Sequence, residues 1–295
     1  AHLFRSVALI HEATVGVIIG NVLNIVLDWL FIVPLGMGTA GAALATSIGY
    51  FASTGYYLWC IYFQQRKGND AISVSPKGLT ESRVLAGDTI KIGVPGALIT
   101  VLLSVSNIVL NSHVAGYGSD AVACYGIAYK ISLFAVLLSV GLAQGIAPLF
   151  GFCFGAEQEE RLRKAVLLGA FLDVLLGVFF TAVFAMLGKT LTAFFLKDAS
   201  LIAQSASFLK VLGLSAPMLG VINIVTSYFQ ALGKALYSMI ITLLRNVILF
   251  IPGVMLMDAL WNLPGVIATQ PAVECIVMVV SIILYLLHQK REINA

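Results

Sequence analysis

The chain has 295 residues, of which 60% are hydrophobic and 11% charged, and its mean hydropathy is +0.99. Soluble domains carry roughly 45–50% apolar and about 25% charged residues, so this chain cannot cover its surface with solvated groups and must be solvated by lipid. Its net charge is only +3, with the basic residues dispersed, which excludes a nucleic-acid-binding face.

In chain order, eight apolar runs are long enough to cross a bilayer, which takes about 20 helical residues. They cover residues 13–33, 40–63, 92–114, 121–150, 165–187, 205–229, 235–257 and 265–287. The runs are apolar on all sides and lack the period-2 alternation of a membrane β-barrel, so the fold class is all-α, a polytopic helical bundle. Lys and Arg are retained on the cytoplasmic side of a membrane. One set of alternating loops holds Arg5, Arg66, Lys67, Lys77, Arg83, Lys91, Arg161, Arg163, Lys164, Lys234, Lys290 and Arg291, whereas the opposite set holds only Lys189 and Lys197. Both ends of the chain are therefore expected in the cytoplasm.

Residues 64–91 form the longest and most basic connection, with Lys-Gly-Asn-Asp and Ser-Pro-Lys-Gly, and read as a linker between two bundles. An internal repeat supports this division. Asn24-Ile-Val-Leu followed by Gly41-Ala-Ala-Leu-Ala-Thr46 matches Asn246-Val-Ile-Leu followed by Gly265-Val-Ile-Ala-Thr269, pairing spans one and two with spans seven and eight. A parallel repeat offset by six spans implies a six-helix unit. On that reading residues 1–63 are the last two helices of an N-terminal lobe and residues 92–295 a six-helix C-terminal lobe, with about four helices of a twelve-helix protein expected upstream.

Several segments then resemble the multidrug and toxic compound extrusion (MATE) transporters. Leu23-Asn-Ile-Val-Leu-Asp28 with Gly36-Met-Gly-Thr-Ala-Gly-Ala-Ala-Leu-Ala-Thr46 is similar to that family's fifth and sixth helices, and Lys91-Ile-Gly-Val-Pro95 to the start of its seventh. Gly126-Ile-Ala-Tyr-Lys-Ile131 through Pro148-Leu-Phe-Gly-Phe-Cys-Phe-Gly-Ala156 resembles the eighth helix and its basic loop. Tyr228-Phe-Gln-Ala-Leu-Gly-Lys234 and Leu244-Arg-Asn-Val-Ile-Leu-Phe-Ile-Pro252 resemble the tenth and eleventh. The resemblance implies two six-helix lobes around a central cavity, alternating access, and a plasma-membrane antiporter working as a monomer. Such an antiporter exports amphipathic, often cationic, small organic compounds in exchange for H⁺ or Na⁺.

An ionisable group at the centre of a span costs on the order of 2.5–3.5 kcal/mol on insertion scales and faces a cavity or a partner. Glu274, three residues after Pro271 in the last span, is the first candidate for ion coupling, followed by Asp28 and Asp173. Candidates for the substrate cavity are Asn107, Asn111, Tyr125, Tyr129, Lys130, Gln144, Asn223 and Gln270. Arg245 is expected to form an inter-helix salt bridge or to snorkel. The resemblance also carries a departure: the sodium-coupled branch places a glutamate about two turns past the proline of its seventh helix, where this chain has Gly-Ala-Leu-Ile-Thr-Val-Leu-Leu103. The stretch 215–228 is likewise free of acids, which favours H⁺ over Na⁺ as the coupling ion.

The four cysteines lack metal-ligand spacing, and neither GxxxxGK[ST] nor HExxH occurs, so no metal site, cofactor or enzymatic centre is expected. The alternative to drug export is a flippase for a lipid-linked saccharide. It needs a strongly basic cavity to hold diphosphate, for which the spans offer only Lys130, Lys210 and Arg245.

Overall fold

The computed structural model describes Phe4, residues 9–66 and residues 101–293. Among the described residues all regular structure is helical, as lipid demands of a backbone that must satisfy its own hydrogen bonds. The chain divides into two compact units, Ala1–Asp88 and Thr89–Ala295. Most of the expected linker and the start of the third span, residues 67–100, lie outside the described residues, while the second helix continues through Arg66.

The first unit is a helical hairpin of α1 (Ile10–Ile32) and α2 (Gly38–Arg66). Gly36 and Gly38 turn the chain between them at φ of 61° and 54°, a region that costs glycine nothing. Small residues set the helix spacing: a Cβ on Gly49 would lie 2.7 Å from the Gly20 carbonyl oxygen. Hydrogen bonds then register the two helices. Tyr57 Oη donates to the Ala13 carbonyl at 2.9 Å, Ser53 Oγ to that of Gly16 at 2.8 Å, and Asn24 Nδ2 to Thr46 Oγ1 at 3.2 Å.

The second unit contains α3 (Val101–Ala115), α4 (Ser119–Gly155), α5 (Glu159–Ala193), α6 (Ala199–Gly213), α7 (Ala216–Ala231) and α8 (Ala235–Leu243). A π-helical turn (Leu244–Ile248) leads into α9 (Phe250–Ile293). The sixth span, expected as one helix over 205–229, is instead the pair α6 and α7, bent by 40°. Pro217 explains the bend. It cannot continue α6, because it has no N–H to donate, but it fits the first turn of α7, where that donor is not needed.

Spans seven and eight form one run of helix interrupted at Asn262, whose backbone is at φ 53° and ψ −145° and which is followed two residues later by Pro264. The chain reverses there. A Cβ on Gly253 would touch Thr269 and Val273, and Arg245 meets Glu274, 29 residues later; a straight helix would hold that pair about 43 Å apart. α3 is joined to the first arm of α9 where Tyr117 Oη donates to Asp258, with His113 Nε2 4.0 Å from the same carboxylate.

Two apolar clusters fill this unit. One gathers Cys124, Leu209, Val254 and Ile267, the other Phe150, Ile224, Phe229 and Val277. The outer surface is equally apolar, with Met186 83%, Phe194 80% and Phe152 62% exposed. Water does not tolerate so continuous an apolar surface, and lipid does.

Candidate functional site

Within the Thr89–Ala295 unit, α3, α4, the segment 242–250 and the second arm of α9 line a cavity of about 260 Å³. α3 contributes Ser106 and Asn107, one on each side of its inner face. α4 contributes Tyr125 and Tyr129, four residues apart and therefore neighbours on one helix face, with their rings stacked at 5.9 Å. The π-turn and the helix before it present Thr242, Arg245 and Asn246, and α9 presents Gln270 and Glu274.

The charges in this cavity form one pair. Arg245 Nε donates to Glu274 Oε1 at 2.8 Å, with the Glu274 side chain 4% exposed and that of Arg245 24%. Glu274 Oε2 is buried and has no hydrogen-bond partner among the described residues. The extra backbone residue of the π-turn, closed by Leu249 N–H donating to the Leu244 carbonyl at 3.0 Å, rotates Arg245 and Asn246 relative to a regular helix. Ser106 Oγ donates to the Asn246 carbonyl and ties this turn to α3. The cavity thus combines one ion pair, three amides and three aromatic rings, which suits an amphipathic guest with a charge to place.

Five of the expected site residues meet here: Asn107, Tyr125, Tyr129, Gln270 and Glu274. Asn111, Lys130 and Gln144 do not line this cavity. Asn111 donates to the Asn107 carbonyl on its own helix, and Lys130, one residue past Tyr129, is turned about 100° away on α4. Asp173 and Asn223 belong to a separate buried network, in which Asn223 Nδ2 donates to Ser139 Oγ at 2.9 Å and Ser139 Oγ donates to Asp173 Oδ2 at 3.1 Å. Gly220 lets α7 approach Asp173, since a Cβ there would lie 2.9 Å from the Asp173 backbone. Asp28 sits half-buried in the first unit.

Sequence reasoning did not place Ser106, Thr242, Arg245 or Asn246 in the site. The signal for Arg245 was present, as a lone base and a lone acid in successive spans of one hairpin. The π-turn that aims the base leaves no trace in hydropathy. Among the described residues no group of three or more His, Cys, Asp and Glu is arranged to hold a metal ion.

A family model described as MatE matches residues 95–255. The multidrug export protein MepA of Staphylococcus aureus is 30% identical over 283 residues, covering 95% of this chain and 61% of that protein. MepA of Staphylococcus saprophyticus is 28% identical over 293 residues, covering 98% and 63%. The chain therefore spans less than two thirds of the length of these relatives. Among solved structures, an outward-facing multidrug resistance MATE family transporter of the MOP superfamily superposes with a TM-score of 0.81 at 21% identity, covering 96% of this chain and 63% of that one. An inward-facing conformation of such a transporter gives 0.75 at 20% identity, covering 93% and 63%.

Proposed function

Because the chain belongs to the MatE family, whose members are transporters rather than enzymes, we propose that it serves multidrug efflux by secondary active transport. It exports amphipathic, often cationic, organic compounds across the plasma membrane in exchange for a cation, H⁺ in preference to Na⁺, by alternating access. The observation that carries this reading is the Glu274–Arg245 pair on the wall of a polar, aromatic cavity.

A carboxylate in such a wall can hold one positive partner at a time. A proton on Glu274 cancels the charge that holds Arg245 and any organic cation, so proton binding from outside expels the guest and proton loss to the cytoplasm restores the site. The aromatic pair and the amides orient the guest without demanding one shape, as broad specificity requires. The flippase alternative is less well served, because the one base lining the cavity, Arg245, is already matched by Glu274. The chain works as a monomer, with both ends in the cytoplasm.

The test is efflux of a fluorescent organic cation from proteoliposomes, driven first by a pH gradient and then by a Na⁺ gradient. Proton-driven efflux that Glu274→Gln abolishes supports the reading. Efflux driven by Na⁺ alone, or unchanged in Glu274→Gln, refutes this coupling, and silence under both gradients refutes drug antiport.

A further inference from the structure

We infer that Arg245 is a tethered counter-ion that competes with the transported cation for Glu274, and so sets the affinity of the cavity. This rests on the transport reading above and adds to it a specificity-determining residue on the π-turn.

The contact between the two side chains is incomplete. A guanidinium can clasp a carboxylate with two parallel N–H bonds, yet Arg245 reaches Glu274 through Nε alone, to Oε1, and Oε2 has no hydrogen-bond partner among the described residues. The pair is also lopsided: Glu274 is 4% exposed and Arg245 24%, so the acid is fixed in the wall and the base is the more open member. The carboxylate therefore keeps one buried oxygen uncommitted, and its base, the more open member, is held by a single bond.

The backbone under Arg245 provides a route for its departure. Residues 244–248 carry i to i+5 bonding, and returning this segment to α-helical bonding shifts its register by one residue, which turns the side chain about 100° around the axis. Ser106 holds the present register through the Asn246 carbonyl, which links the switch to α3 across the cavity. Electrostatics favours the exchange: while Arg245 pairs with Glu274 the wall is neutral and attracts a further cation only weakly, and the full attraction of the carboxylate returns as the guanidinium turns away.

The experiment is ethidium binding to the purified full chain in detergent, followed by fluorescence anisotropy at fixed pH and low ionic strength. Arg245→Gln is expected to tighten binding about tenfold, the effect of removing one charge-assisted competitor. Glu274→Gln is expected to weaken it, and Arg245→Gln combined with Glu274→Gln to lose the gain. Binding that is unchanged or weaker in a monodisperse Arg245→Gln protein overturns the inference.

Should Arg245→Gln fail to fold, the wild-type chain gives the same answer by NMR of ¹⁵N-arginine. The Arg245 Nε–H resonance, assigned with Arg245→Lys, moves from the ion-paired to the free position as ethidium saturates, and a stationary resonance overturns the inference. Tighter binding without efflux in proteoliposomes rejects the transport reading and leaves the competition standing; efflux without tighter binding rejects the competition alone.

Discussion

A double-substitution cycle on Arg245 and Glu274 measures how strongly the folded unit depends on their pairing. At 2.8 Å between Nε and Oε1 the charge centres lie about 4 Å apart, an attraction of about 4 kcal/mol at an effective dielectric constant near 20. Much of that is offset by the cost of removing both groups from water. The measurable quantity is therefore the cost of leaving one charge behind, about 3–5 kcal/mol for a buried pair. Glu274 is the more buried member, so Arg245→Met, which strands the carboxylate, is expected to cost about 3 kcal/mol. Glu274→Met strands a half-open guanidinium and costs less. Replacing both with Met restores an apolar contact and costs about 1 kcal/mol or nothing, which gives a coupling of at least about 2 kcal/mol. Equilibrium unfolding by SDS from mixed micelles, followed by tryptophan fluorescence, reads all four proteins. Additive costs, with a coupling below about 0.5 kcal/mol, would refute the pairing and the mechanism built on it.

Packing of α5 on α7 gives a second expectation. A Cβ on Gly177 would lie 2.5 Å from Pro217 backbone atoms, so Gly177→Ala is expected to destabilise by about 1–3 kcal/mol despite its better helix propensity. Gly141→Ala, with nothing within 4 Å, is expected to stabilise by up to about 1 kcal/mol in the same SDS titration. Asp173 is held by Ser139 in a buried network outside the cavity, so Asp173→Asn should keep proton-driven efflux within about twofold of wild type, the size of a small change in one hydrogen bond; complete loss would make Asp173 a coupling residue. Asp198 caps α6, and hydrogen bonds from the Ser200 hydroxyl and then the Ser200 N–H hold its carboxyl below the usual aspartate range. That capping is in full force above the ordinary aspartate pKa and is lost as pH falls through the lowered one. Amide exchange at Ser200 and Leu201, corrected for intrinsic rates, should accelerate only in strong acid. Finally, on a cysteine-free background, Lys197→Cys should react with an impermeant maleimide in intact cells and Gln158→Cys only after permeabilisation; the reverse pattern inverts the orientation.

The membrane class of this chain is written in its composition, and its helices in the length of its apolar runs, because lipid leaves a polar backbone few alternatives. Glu274 was legible as a residue the fold must accommodate for the same reason: an acid in a span needs a partner or a cavity, and it has both. The two segments read from sequence as a repeat use their matching polar residues differently. Asn24 bonds Thr46 across the first hairpin, whereas Asn246 and Thr269 each bond a carbonyl on their own helix.

Tertiary structure alone decided which polar groups share a cavity. Asn107 and Tyr129 face it while Asn111 and Lys130, a turn or a residue away, do not, because small differences in helix rotation separate inside from outside and hydropathy is silent when every face is apolar. The π-turn and the reversal at Asn262 have the same standing. Each is a local departure from regular helix, stabilised by contacts with residues far along the chain, Ser106 to Asn246 and Arg245 to Glu274. Sequence by itself determined that this chain lives in lipid as helices and where its costly charges lie. The fold determined which charges meet, because that depends on rotation and register set by packing between segments, and no single segment encodes them.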